Sequence, residues 1–333
     1  MPTEISWTDE TWNPVTGCSH VSPGCEFCYA EKLSHRFRRT TKPWGAQYAA
    51  ENVVLHPGRL EMPLRWKKPR RVFVNSMSDL FHEQVPDEFI AEVFDVMARC
   101  GPCFRSEPHT FQILTKRPER MREWVTRISD TPHGQPKLPG GYGVFAVETW
   151  PLPNVWLGVS AEDQERADER IPILLQTPAA VRFVSCEPLL GPIDLRRFLA
   201  VSCSACGASA TEVKWARLES GWANGHVVGG SPPDVCGPMV RDDAQAGLSW
   251  VIVGGESGGP PERRLVSREN PDDGDPATWE PKPGALRYVH SLRDQCQAAG
   301  VPFYFKQWGG PTHASGGRLL DGREWNEFPG GTA

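Results

Sequence analysis

The chain lacks any run of about 18 apolar residues, the length that crosses a bilayer as a helix, so no membrane-spanning segment is expected. Residues 1–10 carry neither a basic stretch nor an apolar one, and do not read as a secretory signal. There is no excess of positive charge: 36 Lys and Arg stand against 41 Asp and Glu, a net charge of −5. That excludes a global polyanion-binding character but leaves room for a local basic face. No collagen-like period and no internal repeat is present, although 32 Gly and 32 Pro among 333 residues imply long loops. With 39% hydrophobic and 23% charged residues the chain can bury a core, which sets it apart from a disordered tail. Ten cysteines without a signal read as thiols or metal ligands in a reducing compartment, the cytoplasm, and not as a disulfide framework.

What is present is a rhythm of strands and helices. Short, nearly continuous apolar runs occur at 72–74, 111–114, 155–159, 181–184, 250–253 and 303–305. Such runs suit strands buried on both faces of a parallel sheet. Helical spacing follows at 87–100, with Asp87 as a plausible cap, at 118–128 and at 284–299, where Gly300 stops it. The fold class is therefore α/β. The alternation predicts a (β/α) barrel-like domain over 1–320, a partial or irregular TIM barrel with long loop insertions. An N-terminal strand makes seven, and the 53–56 run is either an eighth or a hairpin. Segments 129–153 and 258–283 break the rhythm as loops, 201–248 is a long insertion that reads as a degenerate zinc-ribbon-like subdomain, and 321–333 reads as a tail. Polar residues gather after each run, at the edge where parallel α/β proteins build their sites.

The sharpest feature is Cys18, Cys25 and Cys28, three thiols within eleven residues, with Pro23 and Gly24 to turn the chain. Cys25 and Cys28 can face one way at the start of a helix. Three close thiolates suit an iron–sulfur cluster, or a zinc site completed by a fourth ligand such as His20. The lack of an obvious fourth thiolate favours a centre that keeps one position open for chemistry.

The segments TWNPVTGCSHVSPGCEFCYAEKLSHRF, VFVNSMSDLFHE, FQILTKRPERM, NVWLGVSAEDQ, RFVSCEPLLGP, WVIVGGESG and PFYFKQWG resemble the phage Gp37/Gp68 family, a group of unknown function defined partly by a three-cysteine motif. That family in turn resembles the radical S-adenosylmethionine enzymes. The resemblance implies a [4Fe-4S] cluster on Cys18, Cys25 and Cys28, with S-adenosylmethionine bound to the open iron as the source of a 5′-deoxyadenosyl radical. It also implies a reductant protein as electron donor. Phe27 stands where those enzymes carry an aromatic, and Gly254, Gly255 and Glu256 resemble their Gly-Gly-Glu element, which binds the methionine amino group. Two departures stand out. The spacing is Cys-x6-Cys-x2-Cys, not Cys-x3-Cys-x2-Cys, and the glycine triplet follows the 250–253 run rather than the second strand.

Other strand-end residues complete the candidate set. Ser160, Glu162, Ser185, Asn75, Ser78 and Asp79 suit the surroundings of a cofactor, while the serines and acids equally suit helix starts. Lys116, Arg117, Lys306, Gln307 and Glu187 would address the substrate, with Lys306, Lys116 and Glu187 as the catalytic candidates. Basic clusters at 35–39 and 65–71, the second interleaved with Trp66, could track a nucleic-acid backbone or face solvent. Cys203, Cys206 and Cys236 resemble an incomplete zinc ribbon, with His226 or Asp234 as a fourth ligand. Cys100 and Cys103 bracket a redox-type tetrapeptide but follow a helix, and so read as structural; Cys186 reads as a buried thiol near the mouth. The expected function is a radical S-adenosylmethionine-type enzyme acting on an unidentified substrate, a nucleic acid or nucleotide among the options. The alternative is a non-catalytic zinc-binding or interaction protein on the same fold.

Overall fold

The short apolar runs pair edge to edge in the order in which they occur along the chain. The computed structural model describes residues 3, 5–129, 150–199, 214–218, 221–225, 247–268, 278–312 and 314–330. One sheet holds β1 (Glu10–Trp12), β2 (Arg71–Val74), β3 (Thr110–Thr115), β4 (Val155–Ser160), β5 (Val181–Cys186), β6 (Trp250–Gly254) and β7 (Phe303–Gln307). Every neighbouring pair is parallel. Sequential parallel order means that each crossover steps the same way, which curls a sheet and gathers its helices on one face. Among the described residues β7 does not pair with β1, so the result is an open, curled half-barrel. The 53–56 run does not add an eighth strand. Val54–Leu55 pairs antiparallel with Val15–Thr16 in a separate ribbon.

Strand residues alternate between two cores. Val72, Val74, Phe111, Ile113, Leu157, Val159, Val184, Val251, Val253, Phe303 and Phe305 join the helices in the larger one. Phe73, Phe183, Trp250, Ile252 and Tyr304 fill the concave face with Trp7 and Phe328. Burial on both faces is why the runs are continuously apolar. Gly158 belongs to this packing. A Cβ there would lie 2.5 Å from the Phe183 ring.

The helices that pack outside or at the rim are α1 (Tyr29–Arg36), α2 (Asp87–Arg99), α3 (Pro118–Ser129), α4 (Gln164–Leu175) and α5 (Pro283–Ala299). α2 buries Phe89, Ile90, Val93, Phe94 and Met97, the spacing read from the sequence. Its cap differs from expectation. Pro86 holds the cap position, and Asp87 sits in the first turn with its carboxylate 3.0 Å from Arg120. Asp163 caps α4 by accepting from the Arg166 N–H at 2.8 Å. α5 ends on Gly300 at φ 64°, a left-handed turn that glycine adopts without strain.

Residues 321–330, set apart in the sequence as a tail, pack against the sheet. Trp325 and Phe328 are buried, and the Trp250 indole N–H donates to the Glu327 carbonyl at 2.8 Å. Within the 201–248 insertion, strands Lys214–Leu218 and Gly221–Gly225 form an antiparallel hairpin. Cys203, Cys206, Cys236, His226 and Asp234 lie outside the described residues. No described helix is long and apolar enough to cross a membrane.

Candidate functional site

The chain leaving β1 folds over the C-terminal edge of the sheet and carries the three cysteines there. Gly17 makes the first turn at φ 84°, where a Cβ would lie 1.8 Å from the Asn52 carbonyl oxygen. Its N–H donates to Met77 just past β2 at 2.9 Å. A short turn over Pro23–Cys25 follows, and Cys28 caps α1.

Three strand ends grip this loop. Arg117, just after β3, is buried. Its guanidinium donates to the Ser19 carbonyl at 3.2 Å, to Ser19 Oγ at 3.0 Å and to Cys18 Sγ at 3.6 Å. It also pairs with Asp79 at 3.3 Å and Glu83 at 2.9 Å. Glu162, just after β4, accepts from the Gly24 N–H at 3.1 Å and pairs with Arg170 at 3.1 Å. Burial raises its carboxyl pKa, but Lys116, Arg170 and hydrogen bonds from Ser22 and Gly24 outweigh that and hold it below the usual range. Glu256, just after β6, is forked by Arg263 at 2.8 and 2.9 Å. Arg263 then donates to the Pro23 carbonyl at 2.9 Å and to Glu26 at 2.8 Å, and stacks over Phe27 at 5.0 Å. Lys32 also lies against Phe27, at 5.4 Å, and donates to the Gly258 carbonyl at 2.9 Å.

The thiols share one electrostatic neighbourhood. Burial pushes Cys18 up to about 12, Arg117 opposes it, and Asp79, Cys25 and Cys28 add to it. Burial raises Cys28 as well, against the N–H groups of Glu31 and Ala30 at the start of α1 and the charge of Lys116. At neutral pH these two thiols hold their protons, which a bound metal must displace. His20, the expected fourth ligand of a zinc site, instead lies 2.7 Å from Glu31. Among the described residues no group of three or more His, Cys, Asp and Glu is arranged to hold a metal ion. The donor chemistry nevertheless suits an iron–sulfur cluster on three thiolates. Three thiols lie on one loop, an arginine N–H already points at the Cys18 sulfur, and the charge of Lys116 bears on Cys28.

Beneath the loop lies a polar floor made by the upper ends of the strands. Lys116 Nζ donates to Ser160 Oγ at 3.2 Å. Lys306 pairs with Glu187 at 2.9 Å, and Ser185 Oγ donates to the other Glu187 oxygen at 3.2 Å. Gln307 donates to Ser257 Oγ at 2.8 Å. Tyr29 closes one side by donating to the Ser76 carbonyl at 2.6 Å. Tyr29 is 46% exposed overall, and desolvation of its phenol end, with the charges of Cys28 and Glu187, pushes its pKa up.

The candidates thus fall into two sets. Lys306, Lys116, Glu187, Ser160 and Ser185 line the floor. Glu162, Glu256, Arg117 and Asp79 are engaged as anchors of the loop. Gly254 and Gly255 serve close packing. A Cβ at Gly254 would lie 2.6 Å from Glu187 Oε1, and one at Gly255 would lie 1.9 Å from the Trp308 carbonyl oxygen. Asn75 sits at φ 60°, accepts from the Val15 N–H at 3.2 Å, and leaves its buried Nδ2 without a hydrogen-bond partner. Cys186 is turned away from the mouth into the outer core. Arg263, Arg170 and Tyr29 did not stand out in the sequence. Tyr29 had a signal, being the residue directly after the last cysteine, while Arg263 lies in a segment read only as loop.

The chain matches a family model described as "Protein of unknown function (DUF5131)" over residues 2–270 and 277–329. No curated protein and no solved structure matches it. Those two spans take in the cysteine loop, all seven strands and every floor residue, and the chain accordingly belongs to the DUF5131 family.

Proposed function

We propose that the chain is an iron–sulfur enzyme of the radical S-adenosylmethionine type, with Cys18, Cys25 and Cys28 as the thiolate ligands of a [4Fe-4S] cluster. The observation that carries this reading is the placement of the three-thiol loop. It leaves the first strand of a sequentially wound parallel half-barrel and is gripped over the C-terminal strand edge by Arg117, Glu162 and Arg263. The resemblance in sequence to radical S-adenosylmethionine enzymes supplies the chemical class. The cluster and its cofactor, when bound and given one electron by a reductant protein, would supply a 5′-deoxyadenosyl radical that takes a hydrogen atom from the substrate.

The chain's own residues bind, orient and exclude water. The buried hydroxyls of Ser160 and Ser185 present hydrogen-bonding groups at the floor. Lys116 and Lys306 offer two cations to a carboxylate or phosphate. Glu187, held by Lys306 and Ser185, is oriented to accept an ammonium or hydroxyl proton. The adjoining concave face is packed with aromatic side chains, which closes the floor from below and keeps water to the mouth. In this reading Glu256 serves the cofactor indirectly, by fixing Arg263 against the loop.

Anaerobic reconstitution with iron and sulfide tests the proposal. The expected product is a brown protein with about four irons per chain, forming 5′-deoxyadenosine from S-adenosylmethionine and dithionite, with both properties lost in Cys25→Ala. A colourless protein carrying stoichiometric zinc overturns it in favour of a zinc-binding interaction protein.

A further inference from the structure

Between Lys32 and Arg71 the chain holds eleven Lys and Arg but only two carboxylates, Glu51 and Glu61, although its overall charge is negative. The structure brings part of this charge together at the C-terminal tip of α1. Arg39 and Arg59, twenty residues apart, both bear on His56 and, after burial, push its imidazole pKa down. Arg36, Arg38, Arg39 and Lys42 are exposed, and among the described residues none of them pairs with a carboxylate. Elsewhere the arginines are mostly paired, as Arg117, Arg166, Arg263 and Arg293 are. An aromatic stands among these cations. Phe37 is 59% exposed, with the guanidiniums of Arg36 and Arg39 at 5.9 and 5.6 Å from its ring.

The backbone of the tip supplies an independent observation. α1 ends in a double-bonded turn, Arg39 N–H to the Ser34 carbonyl at 2.8 Å and Arg38 N–H to the His35 carbonyl at 3.0 Å. That turn needs a left-handed residue at the position after the cap, where glycine is strongly favoured. The residue there is Arg38, at φ 52°. An arginine costs on the order of 1 kcal/mol at such a position. The sequence thus places a cation where folding alone would select glycine.

We propose that the tip of α1 is a docking surface for a single-stranded nucleic acid. Unpaired guanidiniums would track the phosphates, and Phe37 would offer a face on which a base stacks. A duplex hides its base faces, and an acidic polypeptide has no use for the ring, so the exposed aromatic selects the single strand. The tip stands one helix length, about 12 Å, from Cys28. The surface stands on its own geometry and needs no metal centre.

The test is fluorescence anisotropy of labelled single-stranded DNA and RNA 20-mers with the full-length chain as isolated, across a salt series; the two arms show which sugar is preferred. The expected result is salt-dependent binding. Arg36→Ala/Arg38→Gly/Arg39→Ala should weaken it at least tenfold and lower the slope of log affinity against log salt by about 2, at roughly 0.7 per phosphate contact. Phe37→Ala should weaken it about five- to tenfold with the slope unchanged. Arg38→Gly alone should weaken binding yet raise the thermal midpoint by roughly 2 °C, which separates a docking role from a folding one. Binding equal in the triple variant, or tighter binding of duplex DNA or of poly-glutamate, overturns the proposal. Since the assay needs no cluster, its outcome is independent of the radical chemistry proposed above.

Discussion

The concave face of the sheet changes character along its strands. Toward the strand starts it is aromatic and closed. Trp250 is fully buried there, with ring centroids of Trp7, Trp156, Phe183, Tyr304 and Phe328 between 5.2 and 6.3 Å away. Toward the strand ends it is ionic and partly open, with Lys116 on Ser160 and Lys306 on Glu187. The same seven strands carry both, so the difference lies in which alternate residue falls in which half. Apolar side chains in the lower half hold the curl, and polar ones in the upper half make up the floor proposed for a ligand. The contrast has a measurable form: changes below should cost folding, and changes above should cost function.

The largest stability effect is expected below. Trp250→Ala removes the centre of the aromatic cluster and should cost about 3–5 kcal/mol of unfolding free energy in a urea titration. A loss under about 1 kcal/mol would mean that the lower half does not hold the sheet. Arg117 lies above and yet is buried. Arg117→Ala leaves Asp79 buried without its charge partner and releases Ser19 and Cys18. It should cost about 3–5 kcal/mol as well. If Arg117→Ala is neutral, the cysteine loop is not anchored from β3. If it is costly, the dividing line follows burial and not height along the strand.

His82 extends that line to pH. The Gln84 N–H donates to its Nδ1 at 3.1 Å, so its proton sits on Nε2 and donates to Ser19 Oγ, 2.9 Å away. Burial first, and Arg117 next, pull its pKa down to about 4 from an ordinary value of 6.5, against the opposing charges of Glu83 and Asp79. The folded protein prefers the neutral ring. The contribution is therefore complete above about pH 6.5 and is lost as pH falls from there towards 4, by about 3 kcal/mol. Urea midpoints measured between pH 7 and pH 4 should show this decline, and His82→Gln should flatten it. An equal decline in the variant assigns the acid sensitivity elsewhere.

Much of the lower half was legible in the sequence, and much less of the upper. Continuous apolar runs such as 250–253 announce a strand buried on both faces, because burial acts on each residue separately. Polar strand ends such as Ser185, Glu187 and Lys306 announced a polar edge, and the structure gathers them there. They did not announce partners. Nothing local distinguishes Glu187, which faces the floor, from Glu162, which is fully buried against Arg170 and the cysteine loop. The choice depends on Arg170, two turns into α4, and for Glu256 on Arg263 beyond a proline turn. Gly254 and Gly255 matched a cofactor-binding triplet by type, while the contacts that demand glycine there come from Glu187 and Trp308, far off in sequence. Trp325 and Phe328 lay in a Gly-flanked segment with no period, so their packing on the helix side and the concave side of the sheet, respectively, had no signal.

The smallest stability effect, and the most telling contrast, is expected at the floor. The Lys306–Glu187 pair is partly open to solvent, with side-chain exposures of 21% and 15%. Such a pair contributes little to folding, because solvent screens the attraction and the free side chains hydrate well. Glu187→Gln keeps the volume and the Ser185 hydrogen bond, and Lys306→Met keeps the buried stem. Each should shift the unfolding free energy by less than about 1 kcal/mol. Both should cut the rate of substrate-dependent 5′-deoxyadenosine formation at least tenfold while cluster loading stays intact, since neither side chain belongs to the cysteine loop. A stability loss as large as that of Trp250→Ala would erase the distinction between the two halves. Unchanged turnover would remove Glu187 and Lys306 from the chemistry and leave the floor as structure alone.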